Sequence, residues 1–78
     1  MTYTKEERNK TIHIWKEDRF KLVLKENHAI IDPESPEYMT LNLEASGRCH
    51  KMYFSRQAIA SLKNFLQQIE LNGENENV

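Results

Sequence analysis

The chain has 78 residues, of which 38% are hydrophobic and 29% charged, and its formal net charge is −1. This length allows one domain at most and leaves too little chain for a deep cleft with supporting residues, so we expect a binding protein and no enzyme. All Lys and Arg residues lie before position 70, whereas Glu70, Glu74 and Glu76 close the chain, which predicts a mildly basic domain with an acidic tail.

The sequence also bears on the compartment. A single cysteine, Cys49, cannot form an intramolecular disulfide, whereas small secreted domains usually carry several cysteines. No apolar run reaches membrane-spanning length, and residues 1–10 are polar and mixed in charge, unlike a signal or transit peptide. We therefore expect a cytoplasmic protein, of a cell or of a phage-infected host.

The first half of the chain predicts an arm and a hairpin. Residues 1–10 place Thr4 and Glu7 at capping-box spacing but lack a following apolar stripe, so we expect a flexible N-terminal arm. Alternation then predicts strands over 11–16 and 20–25, joined by a polar turn at 17–19. The apolar run 29–31 is long enough for a brief further strand, and two prolines make 32–37 a loop.

The second half predicts another hairpin and a helix. Residues 38–44 alternate, Ser46-Gly47 is a turn signal, and 48–54 return as a strand. Ser55 is a good helix N-cap, and the apolar spacing that follows is that of one helical face. Asn72-Gly73 predicts the helix stop, and 73–78 a disordered acidic tail.

The predicted fold is therefore α+β, a single domain over residues 11–72. It is an antiparallel sheet of about four strands followed by one C-terminal amphipathic helix packed on one face. One helix covers one face of a sheet, so the other face has no partner within the monomer. The side chains expected beneath the helix are Ile12, Ile14, Phe20, Leu22, Leu24, Met39, Leu41, Leu43, Met52 and Phe54.

The face expected to be uncovered mixes aromatic rings with lysines. Rings stack bases at about 1–3 kcal/mol each, and ammonium groups neutralise phosphates, so this mixture is typical of a single-stranded nucleic-acid platform. The alternatives are a plain solvated face, a protein or dimer contact, and an inverted register that places Trp15 in the core. The expected members of this face are His13, Trp15, Lys21, Val23, Lys25, Tyr38, Thr40, Asn42, Lys51 and Tyr53.

Residues 47–63, G-R-C-H-K-M-Y-F-S-R-Q-A-I-A-S-L-K, resemble the end of the positive cofactor four family of transcriptional coactivators, whirly-like single-stranded-DNA binders. The matching features are a Gly-Arg turn, inward strand positions, a polar cap and a Leu-Lys pair in the helix. The resemblance implies a homodimer built through the helices, with the sheets gripping unpaired strands. The matching positions are Gly47, Arg48, Met52, Phe54, Ser55, Ile59, Leu62 and Lys63.

Two functions follow as hypotheses. The first is binding of single-stranded DNA or RNA, in transcription or DNA metabolism, by a homodimer. The second is a protein-interaction module or small regulator or inhibitor, of the kind phages encode, which docks the same face or an edge strand on a protein. The residues predicted to bind nucleic acid are Trp15, Lys21, Lys25, Tyr38, Arg48, Lys51 and Tyr53.

Catalytic and metal motifs are weak in this sequence. Cys49 and His50 are adjacent, so in a strand their side chains point to opposite faces and cannot act as a nucleophile–base pair. The spacing of the histidines and the cysteine matches no common zinc site, and only Gly47 and Gly73 are available for a phosphate loop. We expect no catalytic residue, no metal and no cofactor.

Overall fold

The computed structural model describes residues 1–71. It contains one five-stranded antiparallel sheet with the strands in chain order, followed by one helix, which confirms the α+β class with one strand more than about four. The elements are β1 (Thr2–Glu7), β2 (Lys10–Lys16), β3 (Phe20–Asn27), β4 (Met39–Ala45), β5 (Arg48–Phe54) and α1 (Arg56–Gln68). Helix α1 ends at Gln68, before the stop predicted at Asn72-Gly73. That dipeptide and the acidic tail predicted over 73–78 lie outside the described residues.

Residues 2–7 form a strand, within the stretch 1–10 that was predicted to be a flexible arm. Strand β1 pairs with β2 from Thr2↔Trp15 to Glu7↔Lys10. The run T-Y-T favours a strand, and Asn9, at φ 62°, supports the tight turn that follows. Thr4, predicted as a helix cap, lies in strand β1. Its Oγ1 is 3.1 Å from Nδ1 of His13 on the neighbouring strand.

The turn between β2 and β3 is one residue shorter than predicted. As a result, the side chains of β2 point to the opposite faces of the sheet from those predicted. Glu17 and Phe20 pair through their backbones, at 2.9 Å and 3.4 Å, so the turn consists of two residues. Trp15 therefore pairs with Leu22. Because a shift of one residue moves every side chain to the other face, His13 and Trp15 lie on the side of Leu22, opposite to the predicted side.

The hairpin of β4 and β5 has the predicted register. Ser46 and Gly47 have φ values of 53° and 76°, the left-handed pair that a two-residue hairpin turn requires. Before this hairpin, residues 29–31 form turns and bends and no strand, and Ile31 is 97% exposed. The loop still has a structural role, since the carbonyl of Pro33 accepts a hydrogen bond of 2.9 Å from the Arg56 amide at the start of α1.

Helix α1 begins as predicted but covers the sheet only in part. The Ser55 hydroxyl accepts a hydrogen bond of 3.1 Å from the Ala58 amide, the N-cap geometry. Ile59 and Leu62 are half-buried and line a groove with Leu22, Leu24 and Leu41, whereas Leu66 is 58% exposed. None of the helical residues is buried.

The most buried cluster lies on the side of the sheet away from the helix. Ile12, Ile14 and Val23 are only 5%, 6% and 9% exposed. The sequence placed Ile12 and Ile14 beneath the helix, and the shorter β2–β3 turn explains why this was wrong. On the helix side, where the core was expected, Phe20 remains 47% and Met52 45% exposed.

Candidate nucleic-acid interface

The sheet has two sides of different chemistry, which we name from the alternation of side chains along the strands and the pairing between them. The helix-side face carries Leu22, Leu24 and Leu41, which line a groove with α1. The open face is the opposite one, and within residues 1–71 no helix covers it. Its members are Tyr3, Lys5, Glu7, Lys10, Ile12, Ile14, Lys16, Lys21, Val23, Lys25, Asn27, Thr40, Asn42, Glu44, Cys49, Lys51 and Tyr53.

Positive charge is concentrated on the open face. Of the lysines in the sequence, only Lys63 lies outside it, on α1. The same alternation places Glu7 and Glu44 there, so the lysines outnumber the glutamates. The lysines of the open face are Lys5, Lys10, Lys16, Lys21, Lys25 and Lys51. A protein with a formal charge of −1 thus carries a basic surface on one side of its sheet.

The centre of the open face is a shallow depression of about 300 Å³. Ile12, Ile14 and Val23 form its apolar floor, and Lys21 and Lys25 are among its walls. Lysine stems cover apolar surface while their ammonium groups stay in water. This explains how the floor is buried without a covering helix, and it places the charges around the rim.

Two exposed tyrosines lie at opposite edges of this face. Tyr3 is on β1 and is 43% exposed, and Tyr53 is on β5 and is 55% exposed. Four strand intervals separate these edge strands, which corresponds to about 19 Å across the sheet. The ammonium group of Lys51 lies 5.8 Å from the centroid of the Tyr53 ring, so a cation and a stacking surface adjoin at this edge.

The two glutamates offset part of the charge. Glu7 Oε2 lies 3.4 Å from Lys5 Nζ, and both side chains are about half exposed, so this pair contributes little to stability. Glu44 is opposite Lys21 in the β3–β4 ladder. Lys25 and Lys51 belong to neither of these two pairs.

Four of the residues predicted to bind nucleic acid are on the open face: Lys21, Lys25, Lys51 and Tyr53. The other three are not. The predicted position of Trp15 was wrong, since it lies on the helix-side face, 36% exposed, with its ring stacked on Phe20 at 6.5 Å.

Tyr38 and Arg48 are also misplaced relative to the prediction. Tyr38 precedes β4 and is only 6% exposed, and its hydroxyl lies 3.0 Å from Nδ1 of His28. Its ring is therefore held in the structure and offers no stacking surface. Arg48 pairs with Ala45 at the β4–β5 turn, and alternation places it on the helix-side face. His13 was likewise expected on the open face, and instead it contacts Glu26 at 2.8 Å on the helix side.

Sequence reasoning missed four members of the basic surface. Tyr3 and Lys5 were not predicted on this face because residues 1–10 were assigned to an arm. The alternating run T-Y-T-K before a tight turn is nevertheless a strand signal. Lys10 belonged to the same predicted arm, and Lys16 shares the face of Ile12 and Ile14, which was expected beneath the helix.

Reactive groups on the sheet are separated. Cys49 is exposed on the open face and its Sγ lies 2.9 Å from Oδ1 of Asn42, whereas alternation points His50 to the helix side. Among residues 1–71 the structure brings no three His, Cys, Asp or Glu side chains together as a metal site. Across the same range, no helix has both the length and the apolar character to cross a membrane.

Comparisons of the chain with family models, curated proteins and solved structures give no match. The resemblance of residues 47–63 to the positive cofactor four family therefore stays a prediction.

Proposed function

We propose that this protein binds single-stranded nucleic acid on the open face. The observation that supports this most strongly is the placement of six lysines on one side of a near-neutral chain, Lys63 being the one that lies elsewhere. Neutralising backbone phosphates releases counterions, which is the main source of affinity in sequence-independent binding.

The arrangement suits an unpaired strand in particular. Tyr53 is exposed beside Lys51, and Tyr3 is exposed at the far edge, so bases can stack at the edges while phosphates lie over the lysine rim. Within residues 1–71, no helix lies on this side of the sheet that could enter a groove of duplex DNA. In this proposal Lys21, Lys25 and Lys51 contact phosphates and Tyr53 stacks on a base.

The test is fluorescence anisotropy of labelled oligo-dT and oligo-U, measured between about 50 and 200 mM salt. For the triple variant Lys21→Ala, Lys25→Ala, Lys51→Ala we expect the slope of log K against log salt to shrink by about 2, at roughly 0.7 per phosphate contact on a single strand. Lys63→Ala removes the same group from α1 and should leave the slope unchanged. Equal slopes in all three proteins would contradict the proposal.

A second arm of the same experiment tests stacking. Tyr53→Ala should cost about 1–3 kcal/mol of binding free energy, whereas Tyr53→Phe keeps the ring and should bind as the parent protein does. Circular dichroism of each variant verifies the fold. Weak binding by both tyrosine variants would show that Tyr53 contributes through its hydroxyl and not through ring stacking.

A protein-interaction role is the second candidate function. The observation that favours it is the exposed apolar surface on the helix side, where Phe65 is 59% and Leu66 58% exposed. Exposed apolar patches of this kind mark interaction sites. This candidate predicts a stoichiometric protein partner whose binding is insensitive to nuclease and to the lysine triple variant.

A further inference from the structure

The central depression of the open face has polar groups as well as an apolar floor. Asn42 and Glu44 both line it and are two positions apart on β4, so their Cα atoms are about 7 Å apart along one face. Lys25 also lines it and lies toward the other end, because it pairs with Thr40, two positions before Asn42. Along β4 the depression therefore offers an ammonium group, then an amide, then a carboxylate.

The amide and the carboxylate keep hydrogen-bonding groups for a ligand. The Asn42 Oδ1 accepts a hydrogen bond of 2.9 Å from the Cys49 thiol, which orients the amide and leaves its Nδ2 as a donor. Within residues 1–71, this Nδ2 donates no hydrogen bond. In the same range the Glu44 carboxylate has no ion pair or hydrogen bond, although Lys21 is its neighbour in the ladder.

We infer that this depression binds a guanine base, an inference that rests on the proposed binding of single strands and deepens it. Guanine presents two adjacent donors, N1–H and the N2 amino group, beside the acceptors O6 and N7. A carboxylate accepts two parallel N–H donors, whereas amide and ammonium groups donate. In this arrangement Glu44 accepts from N1–H and from the N2 amino group, Asn42 Nδ2 donates to O6, and Lys25 donates to N7.

The other bases fit these groups less well. Thymine and uracil have one donor between two acceptors, so one carboxylate oxygen would face an acceptor. Adenine and cytosine have one amino group beside a ring acceptor and no second donor on that side. A polar group left unpaired in a binding site lowers affinity, so the carboxylate beside the amide favours guanine over all four.

The floor and the neighbouring ring suit a base in this position. Ile12, Ile14 and Val23 offer an aliphatic surface to one side of a flat ring. The volume of about 300 Å³ is at the small end for ligand pockets, which fits one base. Tyr53 pairs with Thr40 and is therefore diagonal to Asn42, close enough for the next base of the strand to stack on its ring.

The test is fluorescence anisotropy with labelled oligo-dT strands that differ only in the central nucleotide, which is dT, dG or deoxyinosine. A single guanine in each strand prevents the formation of quadruplexes. We expect the strand with dG to bind about 10-fold more tightly than the strand with dT alone. Deoxyinosine keeps O6 and N1–H but lacks the N2 amino group, so it should lose most of this advantage.

The matched variants remove one charge each. Glu44→Gln places an amide where the carboxylate accepted two donors, so the preference for dG should fall from about 10-fold to less than about 3-fold. Glu37→Gln removes the same charge from the loop before β4 and should keep the full preference. Both side chains are exposed, and the affinity for the strand with dT alone verifies that each variant is folded.

The outcomes separate this inference from the proposed function. Equal affinities of the parent chain for the three strands would overturn the inference and leave the open face as a sequence-independent binder. A preference for dG that survives Glu44→Gln unchanged would overturn it too, since the base would then be recognised elsewhere. If no strand binds at low salt, the inference and the proposed function fail together.

Discussion

The two faces of the sheet are built from the same strands but bury their apolar residues differently. The open face has few apolar residues, yet Ile12, Ile14 and Val23 are its floor and are nearly inaccessible. The helix-side face has many apolar residues, yet Phe20 and Met52 remain about half exposed. Burial thus follows the local surroundings of a side chain more than the number of apolar residues on its face. The floor of the open face is covered within one chain, whereas the helix-side face keeps apolar side chains exposed.

The largest expected effect on stability is at the floor of the open face. Ile14→Ala should destabilise the protein by about 2–5 kcal/mol, because Ile14 is 6% exposed and its loss leaves a cavity. Phe20→Ala removes a larger side chain that is already 47% exposed, so its cost should be only about 1–2 kcal/mol. Urea unfolding followed by circular dichroism measures both values.

These measurements should be made at low protein concentration, where any association between copies of the chain contributes least to stability. A larger loss for Phe20→Ala than for Ile14→Ala would mean that the main core lies beneath the helix, contrary to the structure. Since a domain of this size has only a few kcal/mol of stability, Ile14→Ala should leave much of the chain unfolded at 37 °C.

A smaller effect distinguishes a structural tyrosine from a binding one. Tyr38→Phe should cost about 0.5–1.5 kcal/mol of stability, because it removes the hydroxyl that lies 3.0 Å from Nδ1 of His28. Its affinity for an oligonucleotide should equal that of the parent chain, since the ring is only 6% exposed. Thermal unfolding tests the first statement and the anisotropy titration the second. A weaker oligonucleotide complex of Tyr38→Phe would show that Tyr38 takes part in binding.

Much of the fold could be predicted from sequence because its signals are local. The Ser46-Gly47 turn, the Ser55 cap and the strand that joins them each depend on neighbouring residues, and the structure agrees with all three. The β2–β3 register depends instead on whether the turn has two or three residues. The polar run E-D-R permits both lengths, so the sequence left open which face carries Trp15.

The candidate site was predicted in part for the same reason. Lys51 and Tyr53 come from the hairpin whose turn is unambiguous, and they are on the expected face. Lys21 and Lys25 also lie there, but alongside Ile12 and Ile14 where His13 and Trp15 had been expected. The contribution of Lys5 required recognising an edge strand that has no buried residue and therefore no apolar period to reveal it.

We propose that the lysine-rich open face binds the nucleic acid and that the helix-side face does not. Titration of the isotope-labelled protein with oligo-dT, followed by NMR, tests it directly, because Trp15 is the single tryptophan and gives one distinct indole signal on the helix side. The account predicts shifts at Lys21, Lys25, Lys51 and Tyr53 while the Trp15 indole signal stays in place. A large shift of the Trp15 indole with unchanged lysine signals would contradict it.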